Sequence, residues 1–434
     1  MEPRSRNGKV IVLFVVALMI RAGFCLYRGS LGVSPPVGYR EYVIVGENLL
    51  STGTMTTPLV REGGDDSPSF LMPPAYAAFV ALVYRVFGIE STSATLVLQL
   101  LNAVATAVTV LVVYDLAQKI AGGRAGFVAG LAATVHPALF AYTNLIWDTS
   151  FYTLAVALTV WLAWRLGDRT RRDASYLLWG VWLGGVAMLN PSLTITYPLL
   201  VLWPIFRSGV KRPRAVVRPV ALALLGWAVV LAPWTIRNYV HFHEVIYVRG
   251  GLWAEIWLGV CPEADTNGAD VYKNHFPLNN RRIESHVRAV GEQRWISECK
   301  QRAKAAIRND PLRWAKLVAM RAVDYWVGTA LGHRKAGGSF LPQSTDRMLT
   351  MFFYLIELGL ILGFALRYRS DPKRPDRVGT CVVLAAMVLS FSMVYCVSHV
   401  QVRFRAPMEP VAAVLFGVLA ERSSKHSRAK NVFV

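Results

Sequence analysis

Apolar positions along the 434-residue sequence gather into runs separated by short, basic connectors. Residues 10–27, 96–116, 127–142, 153–166, 176–188, 193–206, 220–234, 348–366, 378–397 and 407–419 each read as a helix crossing a membrane. Lys119 and Arg124, Arg165 to Arg172, Arg207 to Arg218, Arg367 to Arg377 and the tail from Arg422 to Lys430 mark the connectors that belong in the cytoplasm. This bookkeeping gives an all-α polytopic membrane protein of about ten spans with both termini cytoplasmic. It divides the chain into a membrane module (1–240), an outer, periplasmic region (241–345) and C-terminal membrane helices with a basic tail (346–434).

The same count forces residues 28–95 to begin and end outside. The apolar run Phe70 to Gly88 contains Pro73-Pro74 and is then expected to lie on, or dip into, the outer interface rather than cross. Before it, Tyr39, Tyr42, Val45, Gly46 and Leu49 recur at helical spacing while Arg40, Glu41, Glu47 and Asn48 fall elsewhere on the wheel. That pattern predicts a short amphipathic helix with its apolar face on the bilayer surface, paired with the Pro-Pro helix. A second basic, aromatic helix is expected from Leu312 to Trp326 along the same interface.

Composition changes the picture in three ways. With 54% hydrophobic and 17% charged residues the chain is too apolar for a soluble protein. The net charge of +20 sits mainly in the connectors, where it sets orientation and does not point to nucleic acid. Five cysteines lack metal-type spacing, which argues against a zinc site, although Cys261 and Cys299 share the outer region and could form a disulfide there. The first apolar run follows Arg4, Arg6 and Lys9 without a small-residue cleavage site and reads as a retained helix.

Polar groups capable of chemistry converge on the outer face. Glu41 lies in the first outer loop, Trp147-Asp148 in the second, Arg237-Asn238 at the entrance to the outer region, and Arg403 and Arg405 flank Phe404 in the last outer turn. Arginine supplies planar, permanently charged donors to a phosphate. A carboxylate supplies a base to a hydroxyl. Each residue also has a plainer reading: Glu41 as a solvated helix face, Asp148 as the N-cap of a helix, Arg237 as a side chain snorkelling beside Trp234. Arg403 and Arg405 share a side if the turn is extended. Arg321 is a further basic residue within reach, Asp65-Asp66 is a weak alternative for a divalent metal, and His136 is expected to pack against a neighbouring helix rather than to carry a proton. No Gly-rich phosphate loop follows a strand, so no nucleotide site is expected.

The strings Met72-Pro-Pro-Ala-Tyr76, Val86-Phe-Gly88, Trp147-Asp148, Ala232-Pro-Trp-Thr-Ile-Arg-Asn-Tyr239, Leu252-Trp253, Trp257-Leu-Gly259 and Arg403-Phe-Arg-Ala-Pro407 together resemble the GT-C polyprenyl-phosphate-dependent glycosyltransferases, close to family 39 and the aminoarabinose-transferase-like group. The resemblance implies inverting transfer of a sugar from a polyprenyl phosphate to a lipid, glycan or protein acceptor on the outer face of a bacterial inner membrane. It implies that the first-loop carboxylate contacts the acceptor or acts as base and that basic residues bind the donor phosphate. On this reading Glu41 and Asp148 are the catalytic candidates, Arg237, Arg403, Arg405 and Arg321 the phosphate-binding ones, and Tyr39, Tyr42, Asn238 and Trp147 shape the site; no cofactor is expected, a divalent metal being the less favoured alternative. Many relatives carry an Asp shortly before the tyrosine of the first interfacial helix; this sequence has Val37-Gly38-Tyr39-Arg40, and Glu41 is the nearest replacement. The alternatives are a polysaccharide polymerase or ligase, a transporter or flippase of lipid-linked glycans, and a noncatalytic assembly subunit.

Overall fold

The computed structural model describes residues 3–30, 41–57, 68–168, 173–209, 214–264, 271, 274–327, 359 and 375–430. These residues form helices and turns, with no strand among them. Among the described residues, five helices are long and apolar enough to cross a membrane: residues 8–27 of α1 (Pro3–Ser30), α4 (Thr92–Ala121), α6 (Thr149–Gly167), α9 (Arg214–Phe242) and residues 378–397 of α14 (Pro375–Val397). Three further expected spans are shorter helices, namely α5 (Gly123–Val135), α7 (Asp173–Leu189) and α8 (Tyr197–Arg207). The last expected span, 407–419, lies in α15 (Glu409–Lys430) except for its first two residues, which belong to a 3-10 turn. The expected span at 348–366 lies, apart from residue 359, outside the described residues.

Proline shortens α5. His136 is extended and Pro137 opens a 3-10 turn, so the apolar run expected to continue to Tyr142 stops after 13 residues, about 20 Å of helix. Pro137 has no N–H for the Ala133 carbonyl, and the Ala138 N–H is donated to His136 Nδ1 instead of the Thr134 carbonyl. Arg21, buried on α1, takes both: its guanidinium donates to Ala133 O at 2.9 Å and Thr134 O at 3.1 Å, and Nε reaches Thr106 Oγ1 on α4 at 3.1 Å. One side chain thereby ties α1, α4 and α5 together. A second tight contact joins α7 to α9, where the backbone at Gly180 lies against Ala223 and that at Gly226 against Leu177, approaches that only residues without a Cβ permit.

Helix α2 (Glu41–Thr52) pairs with α3 (Pro74–Phe87), as the sequence predicts. The apolar face of α2 is turned the other way from the expected one. Tyr42, Val43 and Val45 are buried in a cluster with Tyr76, Val80, Tyr84, Leu98 and Ile146, so this face packs into the protein and not onto lipid. Gly46 makes the approach close: a Cβ there would stand 2.6 Å from Val80 Cγ1. At 14 residues, about 21 Å, α3 is too short to span.

The region expected to lie outside, residues 241–345, holds α10 (Leu252–Leu258), α11 (Arg281–Val290), α12 (Glu292–Asn309) and α13 (Pro311–Val327). It is fastened to the first loop by Phe70, Ile246, Ala254, Val287, Trp295 and Ile296, which share one apolar cluster. The end of α13 enters the membrane-helix core, where Tyr325 and Trp326 pack with Tyr395 and Met408. Cys261 and Cys299 are both free, buried thiols in different clusters, so the disulfide considered from their shared region is not formed.

Candidate functional site

Glu41 is the first residue of α2 and faces Arg403 and Glu255. Its Oε2 is shielded from solvent and receives no hydrogen bond. Burial raises its pKa from the ordinary 4.5 to about 6, opposed by its own backbone N–H and by the Arg403 charge. A carboxyl with that pKa is ionised at neutral pH and basic enough to accept a proton.

The next residue, Tyr42, extends the site. Its ring meets Trp147 edge-on at 5.0 Å and Tyr76 at 4.9 Å. Beside Trp147, Asp148 is 3% exposed and accepts a hydrogen bond from Asn190 Nδ2 at 2.8 Å. Burial pushes its pKa up, while Asn190, Arg403, Arg249 and the Tyr42 hydroxyl push it back down. Asp148 precedes α6 but makes no capping bond to it, so the N-cap reading does not describe its side chain.

Arg403 closes the arrangement. Its guanidinium lies 4.4 Å from the Trp147 ring centroid and 5.2 Å from that of Phe404, and its charge acts on Glu41 and on Asp148. Two carboxylates from the first and second loops thus lie within electrostatic reach of one guanidinium from the last.

Arg405 is placed elsewhere. Residues 402–404 form a 3-10 turn and 406–408 another, so the extended geometry that would put Arg403 and Arg405 on one side does not occur. Arg405 is 3% exposed; it pairs with Glu409 at 2.8 Å and donates to Tyr325 O and Trp326 O, each at 3.1 Å. Glu409 in turn faces His136 Nε2 at 3.4 Å. Because His136 Nδ1 accepts the Ala138 N–H, a proton of the neutral ring belongs on Nε2, the nitrogen nearer Glu409.

The other predicted residues among those described have hydrogen-bond partners within the protein. Arg237 donates to Ser69 O at 2.9 Å and Asn238 Oδ1 at 2.8 Å and stacks on Trp234 at 4.7 Å. Asn238, fully buried, donates to Ile246 O. Ser69 donates to Glu292 at 2.8 Å, and Thr57 donates to the same carboxylate, so the end of α9, the first loop and the start of α12 meet at one knot. Arg321, 1% exposed, donates to Gly259 O. Tyr39, Asp65 and Asp66 lie outside the described residues.

Sequence reasoning missed Arg249, Glu255 and His399. Glu255 bridges Arg249 and His399, each at 3.3 Å, and its charge reaches Glu41. The signal available was a single carboxylate inside the apolar string Leu252-Trp-Ala-Glu-Ile-Trp-Leu258.

Comparison with known proteins agrees with this architecture. The family model described as dolichyl-phosphate-mannose-protein mannosyltransferase matches residues 72–236, less than half of the chain. No curated protein matches. The oligosaccharyltransferase of Archaeoglobus fulgidus, in its apo form, superposes with a TM-score of 0.55 at 12% identity, over 100% of this chain and 52% of that one. The same enzyme, AglB, in complex with an inhibitory peptide and a dolichol-phosphate gives 0.54 at 13% identity, over 98% and 52%. ArnT from Cupriavidus metallidurans bound to undecaprenyl phosphate gives 0.37 at 14% identity, over 90% and 76%. The chain therefore spans about half the length of the archaeal enzyme that it resembles. The likeness to that enzyme establishes the GT-C fold in an all-helical membrane protein.

Proposed function

We propose that this protein is a membrane glycosyltransferase that moves a sugar from a polyprenyl-phosphate donor to an acceptor hydroxyl, with inversion, at the outer face of a bacterial inner membrane. The observation that carries the reading is the convergence of Glu41 and Asp148 on Arg403. The dolichol-phosphate bound by the archaeal enzyme of the same fold supports a lipid phosphate as part of the donor.

In this mechanism the acceptor oxygen attacks the anomeric carbon in line with the departing phosphate, and the acceptor proton passes to Glu41. The bond from the anomeric carbon to the phosphate oxygen breaks, and its electron pair leaves with polyprenyl phosphate. Arg403, with the Arg249 charge also acting on Asp148, stabilises the charge that grows on that oxygen. Asp148, oriented by Asn190 and Tyr42, positions a sugar or acceptor hydroxyl. Arg405 and Arg237 hold the loops that present these groups. The step balances with no cofactor.

The test is release of polyprenyl phosphate from a panel of polyprenyl-phosphate sugars by the full chain in lipid nanodiscs, with membrane glycan extract supplying acceptors. Sugar-selective release that is lost in Glu41→Gln is expected. Release from lipid diphosphate oligosaccharides alone, or turnover unchanged by Glu41→Gln, would overturn the donor class or the base respectively.

A further inference from the structure

Cys261, Glu263 and His275 lie in the outer region, 12 residues apart between Glu263 and His275, in no spacing that marks a metal pattern in sequence. The fold brings them together. Cys261 Sγ, a Glu263 carboxylate oxygen and a His275 ring nitrogen all lie within 4.8 Å of one another, with His275 Nε2 2.8 Å from Glu263 Oε2. In a tetrahedral zinc site, bonds of about 2.0–2.3 Å to sulfur, nitrogen and oxygen place the ligand atoms roughly 3.3–3.7 Å apart. A contraction of about an ångström therefore closes the set.

The backbone that carries these ligands is held from outside. Arg313 on α13 donates to the carbonyls of Val260, Cys261 and Pro262 at 3.1, 2.9 and 3.0 Å, and reaches Ala264 O at 3.4 Å. The segment 260–264 is wrapped around one guanidinium, and Cys261 is fixed before any ligand arrives. On the other side, Asn280 Nδ2 donates to Asn274 O at 2.8 Å, and the Trp257 ring meets His275 edge-on at 6.1 Å. Buried Cys261, half-buried His275 and exposed Glu263 leave one side of the cluster open to solvent. That is the approach an ion needs and the position a fourth ligand, water, would take.

We propose that Cys261, Glu263 and His275 bind one zinc-class divalent cation. Thiolate and imidazole favour zinc over calcium or magnesium, which take oxygen ligands. Binding displaces the Cys261 thiol proton to solvent. The ion ties His275 to Cys261 and Glu263 just beyond α10, whose Glu255 faces Glu41, and it takes no part in the transfer written above.

The experiment strips the purified full chain with a chelator and titrates it with Zn2+ and, separately, Co2+. One ion per chain and a thiolate-to-cobalt charge-transfer band are expected. Both should be lost in Cys261→Ser and His275→Ala and kept in Cys299→Ser. Glu263→Gln, at an exposed position that threatens folding least, should weaken Zn2+ by more than about 10-fold, the lower end of what loss of an outer-shell partner costs. Absence of stoichiometric metal in the wild-type protein, a cobalt spectrum without thiolate, or unchanged affinity in Glu263→Gln would each overturn the site.

Discussion

Replacing Arg405 by Ala separates a frame-holding role from a phosphate-binding one. The substitution removes the guanidinium facing Glu409, a carboxylate only 1% exposed, together with donors to two backbone carbonyls. Breaking one partner out of a buried ion pair costs about 3–5 kcal/mol. A further loss of about 1 kcal/mol per carbonyl follows if no other donor replaces the guanidinium. Arg403→Ala, by contrast, removes a half-buried side chain stacked on Trp147, a contact worth about 0.5–2 kcal/mol. The assay is paired: thermal unfolding in nanodiscs beside donor binding, measured well below the melting transition. Arg405→Ala is expected to melt much earlier, with donor affinity unchanged in the molecules that remain folded. Arg403→Ala is expected to melt nearly normally and to lose donor affinity. Arg405→Met combined with Glu409→Leu should recover much of the stability, because replacing both members of a buried pair removes the stranded charge. Normal melting of Arg405→Ala with lost donor affinity would refute the reasoning outright.

Further expectations concern neighbouring features. Transfer should rise with pH through about 6 as Glu41 ionises, and Gln at that position should abolish the rise along with turnover. Because the folded pKa of Glu41 lies above the ordinary 4.5, its protonated form is favoured in the folded protein; that contribution, about 2 kcal/mol at most, is present below pH 4.5 and lost as pH rises through 6. Glu41→Gln should therefore melt no earlier than wild type at pH 7. Gly46→Leu should cost about 1–3 kcal/mol by forcing α2 from Val80, and it should slow transfer because Glu41 and Tyr42 ride on the same helix. Reductant should leave the melting temperature unchanged, since all five cysteines are thiols.

Hydrophobic patterning made the long helices legible because each carries its own signal over 19 residues or more. It failed at Pro137, where one missing N–H divides an apolar run that otherwise reads as continuous. The direction in which α2 faces was also hidden. Lipid and a protein interior select the same apolar side chains, and only the folded contacts, such as that of Gly46 with Val80, distinguish them. At the site, Glu41, Trp147, Asp148 and Arg403 were visible as charges and an aromatic at the ends of apolar runs. The difference between Arg403 and Arg405 was not, because it depends on two successive 3-10 turns that an alternating Arg-Phe-Arg string does not announce. Arg249 and His399 escaped for a similar reason: their meaning comes from Glu255, which joins them across 150 residues of chain only after folding.

The knot at Glu292 has a consequence for how the chain is made. Ser69 meets that carboxylate across 223 residues of sequence. At about 5–20 residues per second, roughly 10–45 s separate the emergence of these two residues from the ribosome. For that interval the first loop waits without the acid that receives Thr57 and Ser69, while α1 and α4 can already assemble around Arg21. The nascent chain thus passes through a stage in which its scaffold is built and its loop is exposed. This is the window in which membrane proteases and chaperones would act, and a defect at Glu292 would register there as poor yield before it registered as lost activity.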